Sequence, residues 1–263
     1  MDVTTGVGLI LAVAALIVSV SMEGGTLQSL LNPSALVIIL GGTFGATIMS
    51  FSLRELARVP HLLGQAFLSR DPPMTEVIDT LVGYAEKARR EGLLVLQEYI
   101  HEGDDPFLVR GLNLVIDGAD PEMVRSILET ELTVQEKEYQ TEAGIFETAG
   151  GYAPTMGIIG TVMGLVHVLG NLEDTSRLGP AIAVAFLATF YGIASANLIW
   201  LPIAAKLKLR ARKMVAQKEL MLEGILSIQA GENPRMVREK LEVFARSAAR
   251  QAGTAPVHKE EPA

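Results

Sequence analysis

The chain has 263 residues, 49% hydrophobic, 5% aromatic and 20% charged, with a mean hydropathy of +0.33 and no cysteine. So apolar a composition does not suit a soluble domain and points to a membrane. The absence of cysteine excludes a disulfide scaffold, a thiolate metal site and a cysteine nucleophile; the four scattered histidines, His61, His101, His167 and His258, argue against a histidine metal centre. A formal charge of −8 argues against a nucleic-acid partner.

Four stretches lack Asp, Glu, Lys and Arg: Val3 to Met22, Gly24 to Leu53, Thr148 to Leu172 and Leu178 to Ala205. About twenty helical residues at about 1.5 Å each span the hydrocarbon layer of roughly 30 Å, and in lipid only a helix pairs all its backbone groups within such a run. The first run could be a signal peptide, but its leader Met1-Asp2-Val3-Thr4-Thr5 carries an acid and no base. The expected spans are 3–22, 34–53, 152–172 and 179–205. The turns Met22 to Pro33 and Glu173 to Gly179 hold no base apart from Arg177. By contrast, Arg54 to Gly151 holds nine bases and the chain after Ala205 twelve. The excess of bases places these two regions, and both termini, in the cytoplasm.

The fold class expected is thus an all-α integral membrane protein: four transmembrane helices, a helical cytoplasmic insert between spans 2 and 3, and a helical cytoplasmic tail. In parts, this is a first hairpin at 1–53, an insert at 54–150, a second hairpin at 151–205, tail helices at 206–252 and a disordered end at 253–263. The insert has nine bases against nineteen acids and the tail twelve against seven, so the two are expected to lie against each other.

Within the insert, Val77, Ile78, Leu81, Val82, Ala85 and Ala88 repeat at helical spacing until Gly92. Asp105-Pro106 opens a helix; Asp117-Gly118-Ala119-Asp120-Pro121 closes it and opens the next, with Asp120 as cap. From Pro121 the pattern runs unbroken into the third span, as a stalk. After the fourth span it continues to Ala230, where Gly231 stops it and Asn233-Pro234 starts a last helix.

No span contains a carboxylate or a strong base, and the ionisable candidate within them is His167, either a packing residue or a relay. The spans carry hydroxyls instead: Thr43, Thr47, Ser50, Thr155, Thr161, Thr189, Tyr191 and Ser195. Thr161 lies eleven residues before Leu172 and Thr189 nine after Pro180, so antiparallel helices bring them to similar depth. Such threonines either bond their own helix or line the path of a cation that prefers oxygen. Gly41 and Gly45, and Gly160 and Gly164, have the GxxxG spacing, which serves packing within one chain or between chains. Pro154 and Pro202 each permit a bend. On the insert, Lys87-Ala88-Arg89-Arg90-Glu91-Gly92 with Gln97 and Glu98 is a solvated face or a contact surface. If an ion is conducted, another chain must supply the carboxylate.

In order and motif the sequence resembles the A subunit of the bacterial flagellar motor stator, the MotA/PomA family. The resemblance runs from Gly6 to about Phe244 and rests on Gly41-Gly42-Thr43, on Ala88 to Gly92, on Ala153 to Leu165, on Gly179 to Thr189 and on Ile228 to Arg235. The related ExbB and TolQ proteins share spans three and four but have three spans rather than four, so the first hairpin and the Gln229 to Arg235 passage favour the flagellar branch. The resemblance implies a non-enzymatic channel subunit of the bacterial inner membrane. It implies a pentamer around two single-span B subunits of the MotB/PomB type, which supply the ion-binding aspartate, with torque delivered to the rotor protein FliG. It implies no resident cofactor, only a transported sodium ion or proton. Thr161 and Thr189 correspond to the ion pathway, Pro154 and Pro202 to the hinge prolines, and Arg89, Arg90 and Glu98 to the rotor contacts. Gln97 departs from the acid usual there. A threonine at position 161 is typical of sodium-driven members. The competing classes are an ExbB/TolQ-like energiser of outer-membrane transport or envelope maintenance, and a structural scaffold.

Overall fold

The computed structural model describes the chain except residues 1–2, 23, 69–71, 102, 171–174 and 252–263, and gives the backbone alone for 3–5, 27, 29, 68, 175–177 and 248–251. The expected disordered end, and residues 173–174 of the turn expected after the third apolar stretch, fall outside the described residues. Those described are all helical or in turns, with no strand. The helices are α1 (Val3–Met22), α2 (Pro33–Ser50), α3 (Leu53–Leu56), α4 (Val59–Leu68), α5 (Met74–Glu91), α6 (Leu96–Tyr99), α7 (Pro106–Ile116), α8 (Pro121–Leu169), α9 (Thr175–Ser195), α10 (Leu201–Gln229) and α11 (Pro234–Gln251). Three runs are long and apolar enough to cross a membrane among the described residues: Pro33–Ser50, Pro121–Leu169 and Leu178–Gln229; Gly6–Met22 is a shorter apolar helix.

The chain forms two compact units, Met1–Ser69 with Gln140–Lys208, and Arg70–Tyr139 with Leu209–Ala263. α8 and α10 supply residues to both.

The second unit follows its local signals closely. Gly92, at φ 89°, closes α5, a backbone conformation that side chains with a Cβ rarely adopt. The Asp105 side chain accepts from the Phe107 N–H at 2.8 Å with Pro106 in the first turn of α7, and Asp120 accepts from the Glu122 N–H at 2.9 Å at the start of α8. Gly231, at φ 68°, ends the helix before α11. The core holds Leu81, Leu96, Leu112, Leu128, Leu220, Ile225 and Leu241, all fully buried. The expected charge match between insert and tail is a minor part of this packing. Arg238 meets Asp79 at 2.7 Å, but Arg125 of the insert meets Glu223 of the tail at 3.3 Å with the signs reversed, and the shared interior is aliphatic.

In the first unit two boundaries differ from expectation. α2 closes at Ser50, because Phe51 turns extended and Ser52 starts α3 with a capping box to Glu55. The Ser52 hydrogen bonds hold the Glu55 carboxyl below its usual range. α9 opens at Thr175, ahead of Gly179-Pro180. A proline in the second turn forfeits only one intrahelical hydrogen bond, so the helix runs through it.

Candidate functional site: a hydroxyl pair between two close-packed helices

α8 and α9 run antiparallel and meet along a seam of small residues. A methyl on Gly164 would stand 2.7 Å from the Ala185 Cβ, one on Gly160 2.7 Å from the Ala188 Cβ, and one on Gly192 2.5 Å from the Ala153 carbonyl oxygen. The Gly160/Gly164 pair is therefore used for packing within the chain. Such contact is what an apolar surrounding rewards, since lipid tails offer no hydrophobic drive to join two helices.

At the middle of this seam the structure brings Thr161 and Thr189 together. Their hydroxyls hydrogen-bond each other; Thr161 Oγ1 also lies 2.8 Å from the Ala185 carbonyl and 3.1 Å from that of Gly157, and Thr189 Oγ1 lies 3.3 Å from Gly157. Two hydroxyl protons thus share two carbonyls and each other. Each oxygen keeps lone-pair capacity, and both residues are half-buried, so the pair has an open edge. The other span hydroxyls mostly follow the own-helix reading: Thr47 donates to Thr43 O, Ser50 to Ala46 O, Thr155 to Tyr152 O and Ser195 to Gly192 O. Thr43 Oγ1 is buried without a partner among the described residues.

Pro154 lies inside α8, and α8 stays helical through it. Around Pro202 the backbone departs from a simple kink. The five residues Ala196–Trp200 form a π-turn directly before α10. Pro202 has no N–H for the Leu198 carbonyl, and its ring crowds that oxygen; widening the preceding turn relieves both. His167 lines a cavity of about 370 Å³ together with Ser34, Ala35, Ile38, Gly160, Met163 and Ala181.

Sequence reasoning named Tyr191 among the span hydroxyls but missed its contact. The Tyr191 hydroxyl accepts from the Asn32 N–H at 2.9 Å and donates to the Leu30 carbonyl. A phenol in an apolar helix needs such a partner, which was the signal available.

In the second unit, Arg89 and Arg90 occupy the exposed last turn of α5, and Gln97 and Glu98 are exposed on α6. The chain turns back between them through Gly92 and the 3₁₀ turn Leu93–Val95. Buried Leu96 anchors the return, and the Lys87 ammonium sits 3.3 Å from the Tyr99 ring centre. Tyr84 donates its hydroxyl to the Asp104 carboxylate at 2.7 Å and reaches the Tyr99 carbonyl at 3.1 Å. Burial, and then that carboxylate, push the phenol well above its ordinary range, so it remains a donor. Arg90 pairs with Glu86 at 3.2 Å on the surface. Among the described residues no group of histidines and carboxylates could hold a metal ion.

A family model described as "Motility protein A N-terminal" matches residues 6–92, and one described as "MotA/TolQ/ExbB proton channel family" matches 99–220. Motility protein A of Bacillus subtilis is 39% identical over 245 residues, 93% of this chain and 91% of the relative. The solved flagellar MotAB stator complex from Bacillus subtilis contains a chain that superposes with a TM-score of 0.87 at 38% identity, covering 95% of this chain and 98% of that one. The C. jejuni MotAB structure gives 0.88 at 29% identity, covering 93% and 96%. The chain belongs to the motility protein A family, the A subunits of flagellar motor stators, within the MotA/TolQ/ExbB proton channel family.

Proposed function

We propose that this chain is the A subunit of a sodium-conducting flagellar stator of the bacterial inner membrane, with four spans and cytoplasmic termini. Its partner would be a single-span MotB-type subunit, two copies inside a pentamer of this chain. Support for such a partner comes from the solved relatives, which are MotAB complexes. The observation that carries the reading is the Thr161–Thr189 hydroxyl pair in apolar helices that lack a carboxylate. The oxygens suit a hard cation, and the charge that would bind it must come from the partner.

In this reading each ion delivers about 2.3 kcal/mol per 100 mV of membrane potential. Occupancy of the partner's aspartate biases two arrangements of α8 and α9, with Pro154 and the π-turn at Pro202 as the places that bend. The resulting step is passed to the rotor protein FliG through Arg89, Arg90 and Glu98. Gln97 carries no charge and contributes none.

A proton is the second reading of the cargo, favoured by the proton channel description of the matched family; an envelope energiser is the alternative for the work done. Co-expression with the B-type partner in a stator-deleted host tests all three. Swimming restored in sodium and lost when potassium replaces it is the expected result. Unchanged swimming in potassium moves the cargo to protons, and no swimming in either medium overturns the stator reading.

A further inference from the structure

The Tyr191 ring packs on Ala35, Ile39 and Ala188. Its hydroxyl satisfies two backbone groups at once, the Leu30 carbonyl that ends the Leu27–Leu30 turn and the Asn32 N–H that precedes α2. The Asn32 side chain is already committed to the α2 cap, accepting from Ala35 N–H at 3.0 Å and from Ser34 Oγ at 2.7 Å. The phenol is thus the partner these two backbone groups have across the fold.

α9 presents two adjoining faces. Tyr191 meets the start of α2, Ala185, Thr189 and Gly192 meet α8, and Ala188 lies between, against Ala35 of α2 and Gly160 of α8. Contacts of glycine and alanine resist separation but not sliding, because apolar burial scales with area and has no direction. A hydrogen bond has both length and angle. Among the described residues the α2 side of α9 is otherwise held by apolar side chains, so the axial register of α9 on that side rests on this hydroxyl.

We infer that Tyr191 is a positioning residue of the ion pathway: by locking α9 to the turn before α2 it holds Thr189 level with Thr161. This rests on the proposed role of the threonine pair, while the lock itself can be tested without it. The chain has no cysteine of its own, so disulfide trapping is free of background. In membranes containing the full chain with its B-type partner, Thr161→Cys with Thr189→Cys reports the register. Gly42→Cys with Met156→Cys, where a Cβ on Gly42 stands 3.6 Å from the Met156 Cβ, reports the α2–α8 packing.

Adding Tyr191→Phe removes both backbone hydrogen bonds and slows the 161–189 cross-link at least about five-fold, the factor one such bond alone produces, and leaves the 42–156 rate unchanged. In the chain that keeps its threonines, Tyr191→Phe shifts the sodium concentration for half-maximal swimming speed by a similar factor. An unchanged 161–189 rate overturns the inference. Equal slowing of both cross-links does so too, since Tyr191 would then serve general packing, and so does a slowed cross-link with an unshifted sodium dependence. Failure of the unsubstituted chain to support swimming counts against the proposed function alone; the cross-link rates still decide whether Tyr191 sets the register.

Discussion

The two units bury different things. In the second, large aliphatic side chains vanish from the surface: Leu81, Leu96, Leu112, Leu128 and Leu241 have no exposure at all. In the first, the α8–α9 seam is made of glycine, alanine and threonine, while Leu11 and Met49 stand 71% and 89% exposed. The first unit also buries Leu62, Ile145, Phe146 and Leu207 together, so the different rule belongs to the seam and to the apolar helices whose side chains stay exposed. Water drives leucines together by about 25 cal/mol for each Å² removed from it, whereas a leucine leaving lipid for a helix interface gains only improved packing. Helices in lipid therefore hold by close approach and by hydroxyls that find carbonyls.

The largest break in this comparison is a cavity in the second unit. Leu112→Ala should cost about 2–5 kcal/mol, and Leu11→Ala in α1 less than about 0.5 kcal/mol, read as unfolding midpoints of the purified complex. Equal losses would mean that both units are built by the same rule. Next comes Gly192→Val. The branched side chain meets the Ala153 carbonyl and forces α8 from α9, at about 1–3 kcal/mol. The complex should lose its partner on purification, and retention at wild-type yield would show that close approach is dispensable there.

Tyr84→Phe should remove about 1 kcal/mol by taking the phenol donor from Asp104, which keeps the His101 N–H, and from the Tyr99 carbonyl, with faster proteolysis around α6 as the readout. The smallest effect on stability belongs to charge reversal at Arg89, Arg90 and Glu98, under about 0.5 kcal/mol because these groups are exposed. Torque should nevertheless be abolished with the complex intact. Loss of assembly instead would make them structural.

What was legible in the sequence was local. Gly92, Asp105-Pro106, Asp120 and Gly231 act within one helical turn, and their caps are where spacing put them. Thr161 and Thr189 could be matched because antiparallel helices turn residue counts into depth. The Tyr191 contact could not, since its partner Asn32 lies 159 positions away and pairs through a backbone N–H that carries no side-chain signature. The π-turn was hidden for a related reason: Pro202 states that a hydrogen bond is missing, and the helix decides whether to bend or to widen. The last residues of the expected turn, from Thr175, are helical, because a proline near a helix start costs little.

Sodium uptake into vesicles is the most direct measurement of the threonine pair. With the complex reconstituted alongside its B-type partner and a membrane potential imposed, the unsubstituted chain should take up sodium. The chain with Thr161→Ala and Thr189→Ala, at equal loading, should fall to the level of empty vesicles; uptake that survives both substitutions would contradict the role given to the pair.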